Sequence, residues 1–243
     1  MSMPVLSGPD GQVFGFPVAR TFVESEEEVD AAEQFCREQG VPLLVARCDG
    51  GSTPLVHVLT RRGHLLMATQ SRYACRLAVA VRKQPDERYP IRTATDADRD
   101  ALRELTREAF TGYPSHYHAD PRPDRDRCDE VYVHWVLEAL AARRPGESLF
   151  VAERDERFTG FGLFRVHDAA CEALLAGARP GSDSTRAFVY RAILREGERR
   201  ALAAGARRAF TNINIDHYAV HHTLIRESWR PVGAIHTFHW WAQ

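Results

Sequence analysis

Short apolar runs alternate along this chain with longer stretches in which apolar and charged positions mix, the pattern of strands interleaved with helices. Val13–Phe22 reads as a strand with its approach. Ser25–Gln39 reads as a helix: Ser25 caps it, Glu26, Glu27 and Glu28 fill its first turn, and Gly40 follows its end. Val41–Cys48 is a short apolar strand, Pro54–Arg62 a helix ending before Gly63, and Leu65–Ala80 one or two strands. The stretch Arg82–Arg88 is polar, charged and proline-bearing, which suits a linker. It divides the chain into a small α/β domain, residues 1–85, and a second domain, residues 89–243.

The second domain opens with a strand, Tyr89–Ala94, and a Thr95-capped helix running to Phe110. A loop rich in His, Tyr, Pro and Asp follows, Thr111–Asp126, then a helix from Glu130 to Arg143. Leu149–Arg154 and Thr159–His167 form a hairpin around Asp155 and Glu156. Ala170–Ala178 is a strand, Thr185–Ala204 a long amphipathic helix stopped by Gly205, and Arg207–Ile215 a strand. Asp216–Arg226 is a last helix and Pro231–Trp241 a last strand. The fold class is therefore mixed α/β (α+β), a mixed central sheet with helices on both faces preceded by a smaller α/β domain.

Composition narrows the function classes. With 32 Lys plus Arg against 33 Asp plus Glu, the net charge is −1, and a polyanion-coating surface would need a clustered basic excess. The positive charge is almost all Arg, with Lys83 the single lysine. No apolar run reaches the roughly 20 residues of a membrane span, and Met1–Gly11 lacks the layout of a signal peptide. Five widely spaced cysteines form no C-x-x-C pair, which argues against a disulfide framework or zinc site and for a reduced, cytoplasmic protein. A chain of 243 residues buries roughly 70% of its unfolded surface and needs no staple.

Specific residues carry a resemblance. The segment Ala206–Ile213, the helix start Asp216-His217-Tyr218-Ala219-Val220 and Ser228-Trp229-Arg230-Pro231-Val232 resemble a strand, an Asp-Asn-x-Ala-Val helix start and a Gly-Phe-Arg-x-Val segment of the GCN5-related N-acetyltransferase (GNAT) superfamily. Phe14–Arg20, Ser115–Pro121 with Tyr132 and Trp135, and His236–Trp241 are similar to segments of its TDP-fucosamine acetyltransferase branch. The resemblance implies acyl transfer from a pantetheine thioester, acetyl-CoA or another acyl donor, to the amine of a small metabolite.

It also assigns roles. The donor would lie between two strands along Leu175, Ala176, Gly177 and Ala178 and along Asn212 and Asn214, with a strand N–H polarising the thioester carbonyl. The diphosphate would meet Gly181, Ser182, Ser184, Thr185 and Arg186 at a helix N-terminus. That loop is degenerate: Ser184 and Arg186 stand at the family's glycine positions, and Asp183 adds negative charge. Arg179 and Arg186 flank it, and their forks suit phosphate. The family's general-acid Tyr falls on Leu224, which has no proton to give, so His221 and His222 become the acid–base candidates, with His116 and Asp120 in the loop. Tyr117, His118, Tyr132, Trp135 and His217 are the candidate acceptor-binding residues. His217 and His221 stand four apart as in zinc sites, but Tyr218 replaces the glutamate of that motif, and no metal is expected.

The altered loop opens alternatives. The donor could ride on an acyl or peptidyl carrier protein's phosphopantetheine, or on tRNA, as in GNAT-like enzymes of secondary metabolism and antibiotic biosynthesis. The chain could also be a non-catalytic GNAT-like binding protein, or a thioester hydrolase or decarboxylase. Expected partners are the amine acceptor, a carrier protein and a second copy of the chain, with neither DNA nor membrane.

Overall fold

The computed structural model describes residues 3–80, 88–181 and 183–242. In chain order the elements are β1 (Val5–Leu6), α1 (Gly8–Phe14), β2 (Val18–Phe22), α2 (Glu26–Glu38), β3 (Leu43–Asp49), α3 (Thr53–Arg61), β4 (Leu65–Arg76), α4 (Leu77–Ala80), β5 (Ile91–Thr93), α5 (Arg99–Phe110), α6 (His116–Ala119), α7 (Arg125–Ala142), β6 (Glu147–Arg154), β7 (Arg157–His167), β8 (Ala170–Ala178), α8 (Asp183–Ala203), β9 (Arg208–Asn214), α9 (Tyr218–Arg226) and β10 (Arg230–Trp241). Local chemistry sets several boundaries. Ser25 Oγ accepts from Glu28 N at the start of α2, and Thr95 and Asp98 form a capping box ahead of α5.

Three boundaries differ from the sequence pattern. The approach to β2 is a helix, α1, which ends at Gly15 with φ 77°. The last four residues of Leu65–Ala80 turn into α4. Helix α7 begins at Arg125, ahead of Glu130, because Asp124 Oδ1 accepts from Asp126 N at 2.9 Å and Arg127 N at 3.4 Å and caps it. Residues 82–87 of the expected linker lie outside the described residues.

The chain packs as two compact units. Unit 1 holds residues 1–71, 112–131 and 233–243; unit 2 holds residues 72–111 and 132–232. This division differs from a single cut between 1–85 and 89–243, since the His-rich segment and most of β10 pack with the N-terminal residues. Each unit has a mixed sheet flanked by helices.

In unit 1, β1 and β2 pair antiparallel, β2 and β3 parallel, and β3 and β10 antiparallel. Period-two alternation gives the sheet two faces. Ala19, Leu44, Ala46, Phe238 and Trp240 pack with Val29, Ala32, Cys36, Leu55 and Leu59 of α2 and α3 in one buried cluster. The other face carries Arg20, Val45 and His239 in one cross-strand row, and Arg47 opposite Thr237 in the next.

In unit 2, β5, β6, β7 and β8 pair antiparallel in that order, and β8 pairs parallel with β9. Helix α8 packs on one face with Phe150 and Phe164 in its core. A Cβ on Gly162 would meet Ile193 of α8 at 2.6 Å, so the bare glycine lets the helix sit close to the strand. On the other face, Phe110 of α5 meets Phe161 of β7, with ring centroids 6.3 Å apart.

Candidate functional site

The parallel pair β8–β9 in unit 2 does not stay together. Its register runs Ala170↔Arg208, Cys171↔Ala209, Glu172↔Phe210 and stops there, although β8 continues to Ala178 and β9 to Asn214. Thr211 Oγ1 donates to Ala173 O at 2.9 Å across the start of the opening. On its far side β8 stays paired with β7, through a bulge: Leu163 faces Leu175 and Phe164 faces Ala173, which leaves Leu174 without a partner. Bulges of this kind re-aim backbone groups. The candidate donor residues Leu175, Ala176, Gly177 and Ala178, with Asn212 and Asn214 opposite, line the part of the two strands where mutual pairing has ended.

At the end of β9 stands a hydrogen-bonded pair that fixes a tautomer. His221 Nε2 lies 2.9 Å from the Asn214 carbonyl, which can only accept, so Nε2 carries the proton. Nδ1 of His221 therefore accepts from the Tyr73 hydroxyl at 2.9 Å. Arg186 and His221 act electrostatically on His217, and burial together with those charges holds His217 below its ordinary value. So Asn214, His217, His221 and Arg186 gather in one part of unit 2. His222 is exposed and joins no such pair, and Leu224 is fully buried.

The diphosphate candidates divide. Gly181, Thr185 and Arg186 are exposed at the start of α8, where Ser184 also falls. Ser182 lies outside the described residues. Arg179 is committed elsewhere: its Nη1 makes bonds of 2.5 and 2.6 Å to the two Glu108 oxygens, and its Nε donates to Phe158 O.

A different constellation occupies unit 1. Asp120 Oδ2 accepts from His239 Nδ1 at 2.9 Å and from Trp241 Nε1 at 2.8 Å, and Oδ1 accepts from Arg122 N at 3.1 Å. Burial opposes the charge, yet these donors hold the Asp120 carboxyl down at about 2. His239 therefore carries its proton on Nδ1. Its Nε2 accepts from His116 Nδ1 at 2.8 Å. Burial keeps both imidazoles neutral, with the cations Arg47 and Arg20 adding to the effect on His116. The ladder thus ends at a bare His116 Nε2. Beside it, Tyr117 is buried, its hydroxyl held by Arg20 Nη2 at 3.1 Å, while Arg20 Nε pairs with the fully buried Asp10 at 2.6 Å.

The remaining candidates have local partners. His118 bridges Ser115 Oγ at 2.8 Å and Asp129 Oδ1 at 3.0 Å. Tyr132 stacks on Phe110 at 4.3 Å and meets Trp135 edge-on at 5.8 Å. The five cysteines are buried thiols, and burial pushes Cys75 and Cys171 up to about 12, too high for a ready nucleophile. Among the described residues, no group of three or more His, Cys, Asp and Glu is arranged to hold a metal, and no helix is long and apolar enough to cross a membrane. The pairing of Tyr73 with His221 and the position of His239 in the ladder were not legible in the sequence: their partners lie 148 and 123 residues away.

No protein-family model and no curated protein matches this sequence. Solved structures do. A GCN5-related N-acetyltransferase from Kribbella flavida has a TM-score of 0.62 at 13% identity, over 98% of this chain and 89% of its own. One from Sphaerobacter thermophilus has 0.61 at 14% identity, over 93% and 73%. A tandem GNAT protein of the clavulanic acid biosynthesis pathway has 0.60 at 13% identity, over 94% and 76%. At these identities the likeness establishes the GNAT fold.

Proposed function

We propose that the protein is an N-acyltransferase that moves an acyl group from a pantetheine thioester to the amine of a small metabolite. The observation that carries this reading is the parting of β8 and β9 after Glu172↔Phe210. Two strands that diverge leave backbone N–H and C=O groups facing one another with room between them. A pantetheine arm carries two amides at strand-like spacing and can satisfy those groups from both sides. The bulge at Leu174 supports a backbone N–H near Leu175–Gly177 as the donor to the thioester oxygen.

Tyr73 and His221 handle the proton in this reading. The amine attacks the thioester carbon, forming C–N and breaking C–S. The amine proton passes to the Tyr73 oxygen as the Tyr73 proton moves to His221 Nδ1. The imidazolium is held by its Nε2–H bond to the Asn214 carbonyl. The same two steps in reverse deliver the proton to the departing thiolate, so the pair ends as it began. His116 and Asp120 belong to unit 1 and take no part in these proton steps.

The donor's handle is a finer question. With Arg179 paired to Glu108 and Asp183 beginning α8, the diphosphate of CoA finds less here than the pantetheine does, which favours a carrier-bound donor. Titration calorimetry with acetyl-CoA and with acetyl-pantetheine separates these. Comparable binding of both assigns the pantetheine arm as the recognised part; micromolar acetyl-CoA with no acetyl-pantetheine binding reinstates the diphosphate loop; binding of neither removes the acyltransferase reading.

A further inference from the structure

The ladder of unit 1 has polar capacity that its own contacts do not use. Asp120 fixes His239, His239 fixes His116, and His116 Nε2 is left as a lone pair with no partner among the described residues, on a residue 9% exposed. Thr237 stands two residues before His239 on β10 and so shares its face. Its hydroxyl is buried, the residue 1% exposed, and has no hydrogen-bond partner among the described residues. A buried hydroxyl left unmatched is costly. Opposite Thr237 in the register is Arg47, whose positive charge acts on His116.

These groups specify a ligand by elimination. A bare imidazole nitrogen accepts and does not donate, so whatever meets it brings a proton. Arg47 works against an ammonium donor and favours an anion. Thr237 Oγ1 and the guanidinium both donate to oxygen. We propose that His116, Thr237 and Arg47 form a small-molecule site in unit 1 for an oxyanion that carries its own proton, hydrogen phosphate or a phosphate monoester being the simplest. The P–OH donates to His116 Nε2, and the remaining oxygens accept from Thr237 Oγ1 and Arg47. Asp120 and His239 are positioning residues that keep Nε2 bare. The site is independent of the acyl-transfer reading, which rests on unit 2.

Sulfate is the discriminating probe, because it has the size and tetrahedral shape of phosphate and the charge of its dianion but no proton near neutral pH. The test is an amide-shift NMR titration of the full chain at pH 6.5 with potassium phosphate, glycerol 3-phosphate or potassium sulfate at matched ionic strength. The expected result is saturable shifts at Arg47, Thr237 and His239 with phosphate, and affinity for sulfate at least about tenfold weaker. That tenfold corresponds to one unpaired acceptor facing an unpaired oxygen. Tighter binding of glycerol 3-phosphate at the same amides assigns a monoester, and tighter inorganic phosphate the free anion. Thr237→Val is expected to weaken phosphate at least about fivefold, and His116→Gln, whose amide can donate, to erase the preference over sulfate. Equal affinity for phosphate and sulfate, shifts confined to other residues, no saturable shift at all, or unchanged affinity in Thr237→Val would overturn the proposal. Thr237→Val removes a single hydroxyl, so that arm stands even where His116→Gln does not fold.

Discussion

Two histidine arrangements in this molecule use the same parts and end differently. In unit 1, His116 leans on His239, and His239 on a carboxylate. In unit 2, Tyr73 leans on His221, and His221 on a backbone carbonyl. A carboxylate with at least three donors fixes one tautomer through two rings and keeps the outermost nitrogen an acceptor. A carbonyl fixes the tautomer of one ring and leaves a hydroxyl at the outer end, which both accepts and donates. The first is suited to recognition, the second to moving a proton in both directions. The sheets around them differ in the same sense. Strands β3 and β10 stay in register over seven pairs, while β8 and β9 part after three.

The comparison breaks most decisively at Asp120. Asp120→Ala leaves His239 Nδ1–H, Trp241 Nε1–H and Arg122 N–H unmatched at a buried site, and a loss of about 3–5 kcal/mol in urea unfolding is expected. A loss below about 1 kcal/mol would mean that the ladder is not formed in solution. Tyr73→Phe comes next and touches unit 2 alone. It is expected to lower acyl transfer by about 10²-fold, read as kcat, with donor affinity unchanged. A change in donor affinity with kcat retained would assign Tyr73 to packing.

The pH dependence follows from the buried imidazoles. The ladder's two imidazoles, together with His64 of the same unit and His217 of unit 2, are held below their ordinary value of 6.5 by burial when folded, whereas an unfolded chain protonates them below that value. The unfolded state then binds more protons, so stability falls as pH drops below 6.5, by up to about 1.4 kcal/mol per pH unit for each imidazole. Asp120 acts lower: its contribution is complete above its ordinary 3.8 and is lost as pH falls through about 2. Urea midpoints measured from pH 8 to pH 3 check the sign, and a flat profile between about pH 6.5 and 5 would contradict neutral, buried rings. Smallest is Thr237→Val. Removing an unmatched buried hydroxyl is expected to raise stability by about 1 kcal/mol without phosphate, and a loss instead would mean the hydroxyl is already satisfied.

Much of the fold was legible because it rests on local chemistry. Ser25 and the Glu-rich first turn mark α2, Gly205 stops the helix before β9, and the Ala170–Ala178 strand is found as read. The elements that escaped have little local signal. Strand β1 has two exposed residues, α6 has four residues, and α1 buries Asp10 against Arg20, a partner that periodicity cannot reveal. The same limit applied to the sites. His116, Asp120 and His221 stand out by residue type within suggestive segments. Tyr73 and Thr237 do not: a strand tyrosine and a strand threonine look like ordinary β residues until the register and a helix brought from far along the chain give them neighbours.

The central claim is that the opening between β8 and β9 receives the acyl donor. Backbone amide shifts of the full chain, followed during titration with acetyl-pantetheine, test it most directly. The account predicts saturable shifts concentrated at Leu174–Ala178 and Asn212–Asn214, with Tyr73 and His221 following. Saturable shifts elsewhere with those two segments unmoved would contradict it.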